Sequence, residues 1–230
     1  MTEQEIVRNL AKESLIISTP TSDHDDSLWD RNKRLVRNIE LICQLPEMER
    51  AGLQINRFCL MGATYFIDAG LASYLRSGKT KFAGCNTNSR DLLLLSTKIV
   101  GQKLSTVIDK SKINNINTII TESGGDFTQR PEAMILSDAR NLDDIGAAGI
   151  FNEFKRHVIA GKGVSEVLES WKKKVDYRYW QSLLKRSFRF EAVRKLAEQR
   201  LSVAEHFMNQ LRVENTADDI QELSENPAFV

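Results

Sequence analysis

The segment from 171 to 200 has the most distinctive charge pattern in this 230-residue chain. It contains ten Lys or Arg residues against three acidic ones, interleaved with Trp171, Tyr177, Tyr179 and Trp180. Basic side chains neutralise phosphates and aromatic rings stack on bases, so the pattern fits a surface for nucleic acid or nucleotide phosphate. The other interpretation puts the rings in the core and the charges on a solvated helical face. The near-neutral whole chain favours this second interpretation.

Two other features that could carry chemistry point to ordinary structural roles. Gly124-Gly125 is not followed by the Lys-Ser/Thr of a phosphate-binding loop, so it predicts a turn. The three cysteines, Cys43, Cys59 and Cys85, lack the spacing of a metal site. Cys43 and Cys59 lie in apolar stretches, so we expect buried free thiols in a reducing compartment.

The composition is that of an ordinary globular protein, with 41% hydrophobic and 27% charged residues. The 32 basic residues balance 31 acidic ones, so no net field attracts nucleic acid or an anionic membrane. The N-terminus is acidic, and no apolar run approaches the roughly 20 residues that cross a bilayer. We therefore expect a cytoplasmic protein with neither a membrane nor a nucleic acid as partner.

The N-terminal part of the chain predicts helices separated by a polar loop. Thr2 and Glu5 have the spacing of a capping box, which opens a helix to about Ile17. The stretch Ser18–Asp26 is predicted as a loop. Ser27 is predicted to cap the next helix, whose apolar face is formed by Leu35, Ile39 and Ile42.

From Leu53 to Ile67 apolar residues fall on nearly every side, which predicts a central helix. Gly78–Asn86 is predicted as a loop. Further helices are expected at Ser89–Ile108, Ser111–Thr121, Asn141–Ile159 and Phe190–Leu211, the last with apolar residues three or four apart. No strand alternation or linker is visible. We predict an all-α, single-domain helical bundle over residues 1–213, followed by an acidic, partly disordered tail at 214–230.

Five segments, in order along the chain, resemble motifs of the HD-domain metal-dependent phosphohydrolases. Residues 138–151 read D-A-R-N-L-D-D-I-G-A-A-G-I-F, where one bacterial branch has D-A-D-R-L-D-A-I-G-A-I-G-I-A. Residues 24–31 resemble H-D-x-x-H-x-x-R, 63–70 resemble A-x-L-L-H-D-I-G, 119–123 resemble I-x-x-H-S, and 194–200 resemble R-x-x-A-E-E-R. The likeness spans roughly residues 22–212 and implies the HD-domain or phosphodiesterase-like type of bundle.

The resemblance also implies a site that has lost most of its metal ligands. The family holds a divalent cation with a His, a His-Asp pair and a distant Asp. The two histidines correspond to Leu28 and Ile67, the paired aspartate is retained as Asp68, and the distant one corresponds to Asp138 or Arg140. Hydrocarbon side chains have no lone pair, and a guanidinium repels a cation. We therefore expect neither a catalytic residue nor a metal cofactor.

Arg140 is predicted to lie against Asp68 and to neutralise it, because a buried unpaired carboxylate costs several kcal/mol or takes up a proton. The competing hypothesis is a carboxylate site for Mg²⁺ or Mn²⁺ formed by Asp68, Asp138 and Glu122, with Asp126 nearby in sequence. His24 precedes the ligand position in the motif, so a turn or cap role is expected for it.

Three functions follow from these observations. The favoured one is an inactive phosphohydrolase relative that binds a small phosphorylated or nucleotide-like molecule, or a protein partner, with Arg140, Asp68 and Glu122 as ligand contacts. The second is an active metal-dependent phosphohydrolase, either a phosphomonoesterase or a phosphodiesterase. The third is a nucleic-acid-associated helical module that uses the basic surface at 171–200.

Overall fold

The first helix begins at the capping box that the sequence predicts. In the computed structural model, which describes residues 1–19, 22–77, 90–125 and 127–225, helix α1 spans Glu3–Leu15. The Thr2 hydroxyl accepts a hydrogen bond from the Glu5 backbone N–H at 3.2 Å, and the Glu5 carboxylate accepts one from the Thr2 N–H at 2.7 Å. Two N–H groups at the helix start are thereby satisfied.

A short antiparallel hairpin follows, where the sequence predicted only a polar loop. Strand β1 covers Ile17–Thr19 and β2 covers Ser22–Asp25, with Ile17 opposite Asp25. That prediction is wrong because strands of three and four residues are too short to display an alternating pattern. The Asp25 carboxylate then accepts a hydrogen bond from the Ser27 N–H at 2.8 Å. Ser27 is the first residue of the next helix and Asp26 is its N-cap, so the prediction that Ser27 is the cap is wrong.

The next four helices form the centre of the bundle. They are α2 (Ser27–Ile42), α3 (Pro46–Arg50), α4 (Arg57–Phe66) and α5 (Ala69–Arg76). Every residue from Cys59 to the end of α4 is buried, which confirms the prediction of a central helix in this region. The predicted apolar face of α2 is buried as well.

The continuous stretch Arg57–Arg76 is long and apolar enough to cross a bilayer, contrary to the expectation that no run would be. Of its most apolar window, 78% is buried inside the protein. Burial of that kind is also typical of the central helix of a globular bundle.

The middle of the chain forms α6 (Arg90–Leu104), α7 (Lys110–Glu122), α8 (Pro131–Asp143) and α9 (Ala147–Ile159). The turn predicted at Gly124-Gly125 follows α7, whereas the loop predicted at Gly78–Asn86 lies outside the described residues. The single helix predicted at Asn141–Ile159 is wrong, because the chain breaks at Gly146, which has φ +88°. A Cβ there would lie 2.9 Å from the Cβ of Arg200, so glycine is needed for both the backbone angle and the packing.

The C-terminal part comprises α10 (Val164–Asp176), α11 (Tyr179–Arg186), α12 (Glu191–Thr216) and α13 (Asp218–Glu225). The predicted stripe of α12 faces the core, except that Leu211 is only partly buried. Most of the buried apolar residues form one continuous core cluster, so the described chain is one all-α helical bundle with a single small hairpin.

Candidate functional site

Asp68 is held in a tight break between α4 and α5. The Ser96 hydroxyl, on α6, donates to the Ile67 carbonyl at 2.9 Å and accepts from the Gly70 N–H at 2.8 Å. A Cβ on Gly70 would lie 2.1 Å from the Leu92 carbonyl oxygen, so glycine is required for α5 to approach α6. Asp68 is therefore fixed inside the bundle, with 1% of its surface exposed.

The direct partner of Asp68 is Arg31. The Nη1 atom of Arg31 lies 2.6 Å from the Asp68 carboxylate, while Nε donates to Asp143 at 3.1 Å and Nη2 reaches Asp144 at 3.4 Å. Burial opposes the positive charge of Arg31, but the three carboxylates outweigh that effect and raise the pKa of Arg31. A second guanidinium, that of Arg34, lies 3.0 Å from Asp143. The two arginines lie on the same face of α2, three positions apart.

Arg140 was predicted to neutralise Asp68, and the charges of these two buried residues do act on each other. Arg31, to which the sequence gave no role, forms an ion pair with the same carboxylate. Burial lowers the pKa of Arg140, which is 2% exposed, and the charge of Asp68 opposes that shift. Three guanidinium groups thus face three carboxylates (Arg31, Arg34 and Arg140 with Asp68, Asp143 and Asp144). We call these six residues the arginine cluster; its formal charge is zero.

Asp138 lies on α8, and its carboxylate contacts the backbone at the start of α12. Its carboxylate accepts hydrogen bonds from the backbone N–H groups of Arg189 (2.9 and 3.1 Å) and Phe190 (3.0 Å). Burial raises the pKa of Asp138 to about 7, although these two N–H groups act in the opposite direction. Asp138 therefore joins two helices instead of sharing a site with Asp68.

The raised pKa of Asp138 predicts a pH-dependent contribution to stability. Between about pH 4 and pH 7 the folded protein retains a proton on Asp138 that the unfolded chain has released, so this residue stabilises the fold less as pH rises. We expect the unfolding free energy of the wild type to fall relative to that of Asp138→Asn over this range, by at most about 1.4 kcal/mol per pH unit.

Urea denaturation at several pH values measures this difference. Asp91→Asn, at an exposed position in the first turn of α6, is the matched control and should show no such trend. A constant difference between the wild type and Asp138→Asn would contradict the raised pKa.

The carboxylates proposed for a metal site are not brought together. Glu122 accepts a hydrogen bond from the Thr128 hydroxyl at 2.6 Å and lies 3.7 Å from Arg130, while Asp126 lies outside the described residues. Among the residues that the structure describes, no three His, Cys, Asp or Glu side chains are grouped as metal ligands. The positions of Leu28 and Ile67 are buried and hydrocarbon. This donor set does not fit a divalent cation, since a cation near Asp68 would also face guanidinium groups.

The cysteines show no sign of reactivity where they are described. Cys59 is buried and Cys43 is half-buried, and both are free thiols. Burial is the largest influence on both and raises the pKa of each thiol, which reduces the reactive thiolate fraction. Cys85 and the side chain of His24 lie outside the described part of the structure.

An open cavity of about 300 Å³ adjoins the arginine cluster, and we call it the arginine pocket. Four basic residues line it, namely Arg31, Arg34, Lys155 and Arg156, against the acidic residues Asp30 and Asp144. Its apolar wall includes Leu28 and Phe151, and Phe151 is 68% exposed. The cavity can therefore offer cationic donors and an accessible aromatic ring to a small anionic molecule.

The sequence analysis missed most of these pocket residues. Arg31 was visible as the last residue of the H-D-x-x-H-x-x-R resemblance, but it was given no role. Arg34, Lys155 and Arg156 carry no motif, and helix packing alone brings them together. Of the predicted ligand contacts, Asp68 and Glu122 do not line this pocket, and neither does Arg140.

A second cavity, of about 110 Å³, lies among α9, α10, α11 and α12, and we call it the aromatic pocket. Trp171 and Trp180 line it with ring centroids 5.1 Å apart, and Tyr179 meets Trp180 edge-on at 5.0 Å. Each interpretation of the 171–200 segment therefore fits some of its aromatic rings. Trp180 is buried in the core, whereas Tyr177 is 82% exposed on the surface.

Comparisons with known proteins bear on the fold. Neither a protein-family model nor a curated protein matches this chain. The crystal structure of Bacillus subtilis YpgQ in complex with ADP is similar with a TM-score of 0.58 at 19% sequence identity, covering 92% of this chain and 94% of that chain. The structure of selenomethionine-labelled YpgQ is similar with a TM-score of 0.59 at 18% identity, covering 92% and 93%. At these identities the likeness establishes the helical fold.

Proposed function

We propose that this protein is a non-catalytic relative of the HD-domain phosphohydrolases that binds a small phosphorylated or nucleotide-like anion in the arginine pocket. One observation carries the proposal: four basic side chains converge on a single open cavity next to the buried carboxylate Asp68. Guanidinium and ammonium groups form charge-assisted hydrogen bonds to phosphate oxygens. Two acidic side chains, Asp30 and Asp144, line the pocket beside these four basic ones.

The pocket adjoins positions that the family motifs single out, which supports the link to that family. Leu28 and Arg31 belong to the first motif, and Asp144 and Phe151 belong to the clearest one. YpgQ, which has a similar fold, was crystallised in complex with ADP. A nucleoside diphosphate has the charge and the aromatic ring that a pocket of this composition would accommodate.

The absence of catalysis follows from the chemistry of the side chains at the site. Leu28 and Ile67 cannot coordinate an ion, and Arg31 occupies the carboxylate of Asp68 at 2.6 Å. Without a bound cation nothing in the arginine cluster generates a hydroxide nucleophile from water at neutral pH. The cluster can bind an anion, and we assign it no chemical step.

Isothermal titration calorimetry with inorganic pyrophosphate tests the proposal. Lys155→Ala is expected to weaken pyrophosphate binding about tenfold, because hydrogen bonds to charged groups contribute about 1.5–3 kcal/mol. Lys155 is suited to this test since its described ion pair, with Asp25, is long at 3.8 Å. Lys98→Ala removes the same charge from an exposed position on α6 and should leave the affinity unchanged.

Two results would contradict the proposal. If neither pyrophosphate nor a nucleoside diphosphate binds, the arginine pocket is not an anion site. If phosphate esters are hydrolysed with a rate that depends on added Mn²⁺ or Mg²⁺, the protein is an active phosphohydrolase.

A further inference from the structure

The arginine pocket and the aromatic pocket share part of their walls. Asp144 and Arg156 line both cavities. Tyr179 lines the aromatic pocket near this junction, since the charges of Asp144, Arg156 and Glu153 all act on its hydroxyl. The two cavities therefore adjoin at Asp144 and Arg156.

The walls of the aromatic pocket are suited to a flat ring. Trp171, Trp180 and Phe154 contribute aromatic surface, and Met208 adds a polarizable thioether. Aromatic side chains stack on heterocyclic bases, and this stacking stabilises the bound base. A purely aliphatic ligand would not stack on these aromatic side chains.

Trp180 also provides a hydrogen-bond donor that the protein leaves unused. The residue is 7% exposed, and its buried Nε1–H has no acceptor among the described residues. A buried donor without an acceptor destabilises the protein, so an acceptor on a bound ring would stabilise the complex. An aliphatic or purely hydrocarbon ring has no such acceptor.

Glu153 provides an acceptor in the same cavity. Its carboxylate pairs with Arg156, with the Lys174 ammonium at 3.0 Å and with the Ser170 hydroxyl at 3.1 Å. Burial favours the neutral acid, but the neighbouring Lys174 and Arg156 hold the pKa of Glu153 at about 2. An ionised carboxylate of this kind can accept from a ring amino or imino group.

We infer that the aromatic pocket holds a purine-like ring of the same molecule whose phosphate groups lie in the arginine pocket. The ring packs against the aromatic side chains, accepts a hydrogen bond from Trp180 and donates one to Glu153. This inference rests on the proposed function, since it assigns the second half of that ligand. It narrows the ligand class from any small phosphorylated anion to purine nucleotides.

Calorimetric titration of the 230-residue chain with pyrophosphate, ADP and GDP tests the inference. At least one of the two purine nucleotides is expected to bind about tenfold more tightly than pyrophosphate, because it adds ring stacking. Trp180→Phe keeps an aromatic ring but removes the N–H, and it should weaken that nucleotide about fivefold while leaving pyrophosphate unchanged. Thermal unfolding of the variant establishes that it is folded.

A second variant covers the case in which Trp180→Phe does not fold. Leu183 is half-buried and lines the aromatic pocket, so Leu183→Trp fills the cavity from its rim. It should reduce the affinity for the nucleotide to that for pyrophosphate. Equal binding of pyrophosphate and both nucleotides, with no effect of either variant, would overturn this inference but leave the proposed function standing. Failure of all three probes to bind would overturn both.

Discussion

Replacing Arg31 by alanine is expected to lower the free energy of unfolding by about 3–5 kcal/mol, because it removes the guanidinium that pairs with the buried carboxylates of both Asp68 and Asp143. Arg31 is the described partner of Asp68 and lies within 3.1 Å of Asp143, and both carboxylates are almost fully buried. Urea denaturation followed by circular dichroism measures the change.

The matched control for this variant is Arg34→Ala. Arg34 lies on the same face of α2 and also contacts Asp143, but 45% of its side chain is exposed. Exposed ion pairs contribute about 0–1 kcal/mol to stability, so Arg34→Ala should lower the free energy of unfolding far less than Arg31→Ala does. In the double variant Arg31→Ala with Asp68→Asn, removal of the stranded charge should restore part of the lost stability. Equal effects of Arg31→Ala and Arg34→Ala would show that the arginine cluster does not depend on the buried pair.

Replacing Gly70 by alanine is expected to lower the free energy of unfolding by about 3 kcal/mol or more, which is the upper end of the range for overpacked cores. The added Cβ would lie 2.1 Å from the Leu92 carbonyl oxygen and 2.9 Å from the Ser96 N–H, and both atoms belong to the backbone of α6. Backbone in the middle of a packed helix cannot move as a flexible side chain can. Thermal and urea unfolding measure the loss.

Gly101→Ala is the matched control, since Gly101 lies on α6 and has open space around its would-be Cβ. Alanine is favoured over glycine inside a helix by roughly 0.5–1 kcal/mol, so this variant should be more stable than the wild type. If both variants change stability in the same direction, the close approach of α5 to α6 is not what requires glycine at position 70. Because Gly70 donates to Ser96 beside Asp68, Gly70→Ala should also weaken pyrophosphate binding.

The arginine cluster gives a physical reason why carboxylates can be buried inside this bundle. A carboxylate buried to the extent of Asp68 requires a positive charge nearby. Arg31 supplies that charge from within the chain, and three guanidinium groups offset three carboxylates. The outer side of the cluster opens to the arginine pocket, which Arg34 and Lys155 also line.

Local features of the chain were predictable because they depend on neighbouring residues. The capping box at Thr2, the central helix that ends at Phe66 and the buried stripe of α12 are all confirmed. Each depends on a periodicity or a spacing within one element. The correspondence of Leu28 and Ile67 with ligand histidines comes from the family resemblance and stays a prediction.

Which side chains meet across the bundle could not be predicted in the same way. Arg31 and Asp143 are 112 positions apart, and Arg189 is 51 positions from Asp138. Several arginines and aspartates lie within the motifs, and residue type alone does not distinguish among them. The packing of α2 against α4 and α8 places Arg31 beside Asp68. The position of α12 places the backbone N–H of Phe190, at the start of that helix, beside the Asp138 carboxylate. Contacts of this range depend on how whole helices approach and rotate, which is a property of the assembled core.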